Sequence, residues 1–356
     1  MKKALLDCKN ILVCPECGCD LTILESKLLC SCCNREWSVD KDGVIRFLNS
    51  GYFFGASREG MNELLAEMRN MSAEQFFDSI SQLESKYEDF NYSYCLDSAR
   101  ADWTVLGDFS QKIVVDLGCG YGAISIPLAK RAKVVISIDA TLERIKFLSI
   151  IARYKGVKNI VPMHADVFKL PFKRESVNSF IMVGLLEWIG TFRQDKSPGE
   201  LQQEFLKYLR NLLSENGELW IGIENRLNPL YLIGKTHHGD IPFTPLMPRF
   251  MANFIHRLFK KGGYRTWTYT KYGYQELLET SGFTDIEFFY PFLGYQLPKF
   301  ISSSTKPCIL ASYLGNTIIP QSSLKYTFGS KVLILLGHLR LAGRFAPAFF
   351  IKAKKG

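Results

Sequence analysis

Apolar and polar positions along this chain keep two different rhythms. Ile113–Leu117, Val134–Ile138, Ile160–His164, Ser179–Val183 and Leu219–Ile223 are short, almost unbroken apolar runs containing β-branched residues. That is the pattern of strands buried on both faces of a parallel sheet. Longer stretches with helical spacing lie between them, one from near Tyr121 through Lys130, one over Leu142–Tyr154 and one over Glu200–Leu213. Strand and helix in repeated alternation predict an α/β fold with a doubly wound, mostly parallel sheet, and such sheets bind ligands at the carboxyl ends of their strands.

The pattern changes on both sides of that core. Residues 1–50 are a small cysteine-bearing segment, and 51–110 read as a polar helical linker. In the linker, Met61–Met68 has amphipathic spacing, a helix is predicted over Leu96–Phe109, and Tyr87, Phe90, Tyr92 and Tyr94 precede that helix. Aromatic packing between helices is the reading preferred for these four. Residues 111–356 carry the α/β domain with later strands at Asp285–Phe289 and Ala348–Lys352 and with insertions at 225–270 and 291–346. Loops at the carboxyl edge of a sheet are where specificity is usually built, so the insertions are expected on the substrate side.

A length of 356 residues allows one large domain or about two of ordinary size. No window resembles a membrane span or a signal peptide, the uncharged stretch Pro307–Leu324 being rich in polar residues, so a cytoplasmic location is expected. The net charge of +9 points to an anionic partner without choosing among nucleic acid, a nucleotide-linked substrate and a membrane surface. Ten cysteines without an export signal, with pairs at C-x-x-C spacing, point to metal rather than to disulfides.

Chemistry is densest at Val115-Asp116-Leu117-Gly118-Cys119-Gly120-Tyr121-Gly122. Glycines directly after a buried strand let the backbone turn tightly and approach a ligand. Gly118, Gly120 and Ala123 also satisfy the loose dinucleotide pattern, but Asp116 would repel a pyrophosphate and suits a cationic amino group. The stretch resembles motif I of the class I S-adenosylmethionine-dependent methyltransferases. That resemblance implies a Rossmann-like, seven-stranded sheet whose last strand lies antiparallel between its neighbours. It also implies S-adenosyl-L-methionine as cofactor, with Asp116, Gly118, Cys119, Gly120 and Gly122 around its methionine part. Asp139, at the tip of the second strand, is placed to accept hydrogen bonds from both ribose hydroxyls, on geometry and resemblance alike. Asp166 and Val167 would then meet the adenine, and His164 packs at its strand end.

Cys14 and Cys17, followed across a short hairpin by Cys30 and Cys33, supply the four thiolates of a tetrahedral zinc site, with Cys32 an alternative to Cys33. Four sulfurs close the shell, so the zinc is read as structural. With the following Arg35–Val39 and Asp42–Leu48, the segment resembles the zinc ribbon found before several bacterial methyltransferase domains. Cys8 and Cys19 are read as non-ligands.

For the acceptor, His237 and His238 are candidate general bases and Glu187 a candidate catalytic carboxylate, against a solvated loop and a helix start respectively. The string Glu224-Asn225-Arg226, the histidine loop, Tyr269–Lys271 and Tyr290–Pro298 together resemble a bacterial methyltransferase subgroup associated with cell-surface glycan assembly. The expected activity is therefore methyl transfer to a small or glycan-linked acceptor, at oxygen. Lys260, Lys261, Arg265 and Lys271 interleave with Tyr264, Trp267, Tyr269, Tyr272 and Tyr274, a composition that also suits RNA or a sugar nucleotide. A ribosomal or transfer RNA methyltransferase and a non-catalytic cofactor-binding subunit are the two rival functions.

Overall fold

The structure, a computed structural model, describes residues 2–238, 240–260, 262–292, 294–306, 308, 309, 331 and 335–356. Most of the uncharged stretch Pro307–Leu324, and with it part of the 291–346 insertion, lies outside the described residues. The chain packs as two compact units. The first runs through Val183 and takes in Tyr208–Leu219 and Lys355; the second comprises Gly184–Lys207, the described residues of Trp220–Lys354, and Gly356.

In the first unit a three-stranded antiparallel sheet of β1 (Leu21–Ile23), β2 (Lys27–Cys30) and β3 (Glu36–Ser38) carries the cysteine turns. Next comes β4 (Ile45–Arg46), which leaves that small sheet and pairs in parallel with β7 (Ile160–His164). The Phe47 N–H extends the pairing by donating to the His164 carbonyl at 2.9 Å. Between them in sequence lie β5 (Ile113–Leu117) and β6 (Val134–Asp139), and β8 (Val177–Val183) and β9 (Leu213–Glu224) follow. The order is β9-β8-β5-β6-β7-β4. All of β6 and β7 is buried, which is why their sequences are apolar without alternation.

Helix Leu142–Tyr154 turns Ile145, Phe147, Leu148, Ile150 and Ile151 inward, and helix Arg58–Arg69 buries Met61, Leu64, Leu65 and Met68 at the expected spacing. Phe76, Phe90 and Tyr121 gather around Phe147 with ring centroids 6.5, 5.9 and 5.3 Å away. Tyr87 and Phe90 are thus core residues, whereas Tyr92 and Tyr94 remain more than 40% exposed.

Two expectations for local structure need correction. Instead of a helix from near Tyr121 to Lys130, only Ser125–Leu128 is helical, because Gly122 has φ +90, which no right-handed helix passes through. Leu96–Phe109 is likewise replaced by a tighter 3-10 segment, Ser98–Leu106, begun by the Asp97 carboxylate accepting from the Ala99 N–H at 2.9 Å.

In the second unit β10 (Phe283–Phe292), β11 (Phe300–Ser302) and β12 (Ala348–Lys355) stand in the order β11-β10-β12-β9, with β9 contributing residues to both units. β5 to β10 and β12 are the seven strands expected for a doubly wound α/β fold; β4 and β11 are edge additions. Trp220 stacks on Phe289 at 6.1 Å, and Phe349 meets Tyr274, Phe288 and Tyr290 edge-on. Fully buried Asn225 fixes the chain before β12 by donating to the Arg344 and Ala346 carbonyls, both at 2.7 Å. No helix among the described residues is long and apolar enough to cross a membrane.

Candidate cofactor cradle and a buried carboxylate–histidine cluster

The first unit contains the glycine turn. The N–H groups of Gly118 and Cys119 both donate to the Ile138 carbonyl, at 2.9 and 3.0 Å, which draws the turn across the end of β6. There Asp139, only 7% exposed, accepts from Gly120 N–H at 2.9 Å with one oxygen and from Thr141 N–H at 2.7 Å with the other. One carboxylate therefore holds both the turn and the start of the next helix. Each oxygen keeps a second lone pair free for a hydroxyl.

The glycines divide the work. A Cβ on Gly122 would stand 2.6 Å from Leu148 Cγ, so its bareness serves packing; a Cβ on Gly120, at φ +54, would meet nothing within 4 Å, so the open space lies there. Cys119 is buried, and burial pushes its thiol well above the usual range. Asp166, half-buried after β7, accepts from Phe168 N–H at 2.9 Å, and Val167 beside it is buried. His164 is wholly buried with Nε2 3.0 Å from the Ala140 carbonyl, the packing position expected for it.

Asp116 is the least solvated acid of the cradle at 2% exposure and accepts from the Ser125 hydroxyl at 2.6 Å, itself bonded by Ser137 at 2.8 Å. Burial pushes its pKa up to about 7, and the nearby Asp139 charge adds to the rise. Arg144 was not singled out from sequence. Its guanidinium lies over Phe54 and Tyr121, 4.9 and 5.1 Å from the ring centroids, with Nε buried and unpartnered. The only signal for it is its place in the first turn of the helix that Asp139 opens.

The four cysteines read as zinc ligands stand together. Cys14, Cys17, Cys30 and Cys33 bring their sulfurs within 4.8 Å of one another, with Cys14–Cys33 at 3.7 Å and Cys17–Cys30 at 3.4 Å. Sulfurs arranged tetrahedrally at 2.3 Å around zinc stand roughly 3.8 Å apart, so the cluster fits that ion. Cys32 is not the fourth member: it forms a disulfide with Cys19, a pairing that the metal-only reading of the cysteines did not include.

The second unit holds a different cluster. Glu187 is completely buried, with Oε1 3.2 Å from His238 Nε2, and His237, with a side chain 1% exposed, has Nε2 3.6 Å from Glu224 Oε2. The two imidazoles face each other at 4.1 Å, an approach for which His238 takes the left-handed conformation at φ +51. Burial drives the Glu187 carboxyl upward. His238, which burial alone would lower, is raised by the hydrogen bond to Glu187. For Glu224 the order is reversed, since burial would raise it and His237 holds it down. The sequence-predicted Glu187, His237 and His238 are thus brought together, and Glu224 is the member that sequence reasoning passed over. Its neighbours in the string are braces: Arg226 donates to the Pro245 and Met247 carbonyls at 2.8 and 2.7 Å.

The basic and aromatic stretch is mostly internal. Tyr264 and Tyr274 are buried, Arg265 donates to the carbonyls of Gly190, Arg193 and Lys196, and Lys260 pairs with Asp240 at 3.0 Å. Lys271 reaches the Tyr290 hydroxyl at 2.9 Å, and Lys261 lies outside the described residues. Of the five aromatics only Tyr272 is widely exposed, so the stretch is not a platform for stacked bases.

Residues 108–239 match the model of a methyltransferase domain family. The chain is 26% identical over 156 residues to a ubiquinone biosynthesis O-methyltransferase of Rickettsia canadensis, 42% of this chain and 61% of that protein. It is 39% identical over 62 residues to a ribosomal RNA small subunit methyltransferase A of Koribacter versatilis, 17% of this chain and 21% of that protein. The chain therefore spans less than two thirds of the curated relatives it matches. Among solved structures, a methyltransferase of Thermotoga maritima described as a possible histamine N-methyltransferase aligns with TM-score 0.43 and 14% identity, over 79% of this chain and 98% of that one.

Proposed function

We propose that this chain, whose residues 108–239 match a methyltransferase domain family, is a class I methyltransferase that transfers a methyl group from S-adenosyl-L-methionine to an oxygen of a small or glycan-linked acceptor. The observation that carries the cofactor assignment is Asp139, whose two oxygens hold the glycine turn and helix start while retaining acceptor capacity for a ribose diol. The bare side of Gly120 leaves room for the ligand. In this reading Asp116 receives the cationic amino group, Asp166 and Val167 the adenine, and Cys119 and the glycines line the methionine part.

Transfer is a direct displacement. The acceptor oxygen attacks the methyl carbon opposite sulfur, the C–S bond breaks with its electron pair remaining on sulfur, and S-adenosylhomocysteine leaves. The protein has to align the reactants, exclude water and relieve a hydroxyl acceptor of its proton. Glu187, His237 and His238 are the groups we assign to that last task, because they join buried carboxylate to imidazole. The O-methyltransferase relative supports oxygen, and the glycan-linked class rests on the sequence resemblance of the insertions. Zinc in the four-cysteine cluster would have a structural role only, holding the two cysteine turns against each other.

RNA is the second reading, supported by the net charge and by the ribosomal RNA relatives, both short matches. Calorimetric titration of the zinc-loaded protein with S-adenosylhomocysteine tests the cofactor; saturable one-to-one binding is expected, and no binding by folded protein sinks the proposal. Methylation of candidate acceptors at two salt concentrations then separates the readings, since a phosphate-tracking enzyme loses affinity steeply as salt rises.

A further inference from the structure

The carboxylate–histidine cluster contains buried polar atoms that have no hydrogen-bond partner. His237 is buried, yet neither ring nitrogen has a hydrogen-bond partner; Glu224 Oε2 and Glu187 Oε2 are also buried without one. His237 Nε2 and Glu224 Oε2 at least face each other as an ion pair at 3.6 Å, but His237 Nδ1 and Glu187 Oε2 have no partner, and a buried polar atom left unmatched is destabilising. A fold keeps that arrangement when something else completes it.

The chemistry of the four groups says what. Imidazole and carboxylate together are the donors of zinc, iron and manganese sites, and two imidazoles with one carboxylate leave coordination positions open. Ligand atoms of Glu224, His237 and His238 lie within 4.8 Å of one another. Around an ion with bonds of about 2.0–2.2 Å they would stand roughly 3–3.5 Å apart, a closure of about an ångström or so. Glu187, against His238 Nε2, occupies the place of the carboxylate that orients a metal-binding imidazole.

We propose that Glu224, His237 and His238 hold a divalent transition-metal ion, oriented by Glu187, and that its open positions take oxygen atoms of the acceptor. Metal binding stands on this geometry by itself; its use in catalysis rests on the methyl-transfer reading. A hydroxyl held there would be made more acidic by the ion, and because the imidazoles would then be ligands its proton would pass to water instead of to them, leaving the oxygen to attack the methyl as above. The class of acceptor favoured is one with two neighbouring oxygens, such as a vicinal diol, able to fill two positions at once.

Manganese(II) is the probe, because it is hard enough to leave a zinc-filled thiolate cluster alone. Full-length protein carrying one zinc ion per chain, enough for the cysteine cluster alone, is titrated with manganese(II) and the free ion followed by electron paramagnetic resonance. Saturation at one ion per chain is expected, with affinity weakened at least tenfold in Glu224→Gln and in His237→Asn and several-fold in Glu187→Gln. Zinc content and S-adenosylhomocysteine binding, measured on the same samples, report that each variant is folded. A flat titration of folded wild type, or one that both ligand variants leave unchanged, overturns the metal centre. Manganese binding in protein that ignores S-adenosylhomocysteine would support the centre while defeating the transferase reading. The reverse result would defeat the centre and keep the transferase.

Discussion

The carboxylates and cysteines singled out in the first unit and the carboxylate–histidine cluster of the second treat their polar atoms differently. In the first, Asp139 satisfies two N–H groups, Asp116 takes a serine hydroxyl, and four cysteine sulfurs stand at zinc spacing. In the second, Glu187, Glu224 and His237 keep atoms that are buried and unmatched. A closed set of partners fixes a shape, whereas an open set is held ready for something that arrives. Changes in the first unit should therefore appear as lost stability or cofactor affinity, and changes in the second as lost turnover.

The sharpest attempt to break this contrast is to replace Cys14 and Cys17 with serine. Binding of structural zinc is worth about 10–16 kcal/mol in small zinc domains, so the zinc of the cysteine cluster should be lost and the cysteine turns should melt. Because the cradle is built from β5 to β7, S-adenosylhomocysteine titration should still saturate; its loss would mean the cysteine segment shapes the cradle.

Asp116 comes next, through pH. Its folded pKa of about 7 lies above the unfolded value, so the stability contributed by the protonated carboxyl is complete below about pH 4 and is lost as pH rises through 7. A shift of that size separates the two protonation states by on the order of 4 kcal/mol. Cofactor-free protein should melt at lower temperature at pH 8 than at pH 5.5, and Asp116→Asn should flatten the difference. A cationic amino group beside Asp116 favours the carboxylate, so binding near pH 7 should release a proton, seen as a calorimetric heat that depends on buffer ionisation enthalpy.

In the second unit, His237→Ala and His238→Ala should each slow turnover by roughly 10²-fold, about 3 kcal/mol, with cofactor affinity unchanged. Equal turnover in both variants removes these histidines from the chemistry. The smallest effect is expected from Asp139→Ala, about 1–3 kcal/mol of cofactor affinity measured by calorimetry. Unchanged affinity removes the ribose assignment.

The same contrast explains what could be read from sequence. Cys14 and Cys17, Cys30 and Cys33, and an acid at a strand tip such as Asp139 are local signals, because chain geometry over a few residues decides where they point. Their places in the fold follow the reading. Gly122 also looked local, but it stops a helix instead of starting one, since packing against Leu148 demands its bareness and its φ of +90. Glu224, by contrast, meets His237 through a loop thirteen positions on, and Glu187 meets His238 across a separation of fifty-one. No periodicity encodes such meetings; they are settled by how β9 and the loops beyond it pack.

The pairing of β4 with β7 has a consequence for the protein in solution. β4 stands outermost in the first unit, covering a rim that would otherwise offer β7's backbone to any passing chain. Its two residues come one strand and one turn after the second pair of cysteines, so zinc in the cysteine cluster would help keep that cover in place. Metal starvation should then show itself first as sticking and precipitation of newly made protein, before any catalytic defect in the molecules that stay dispersed.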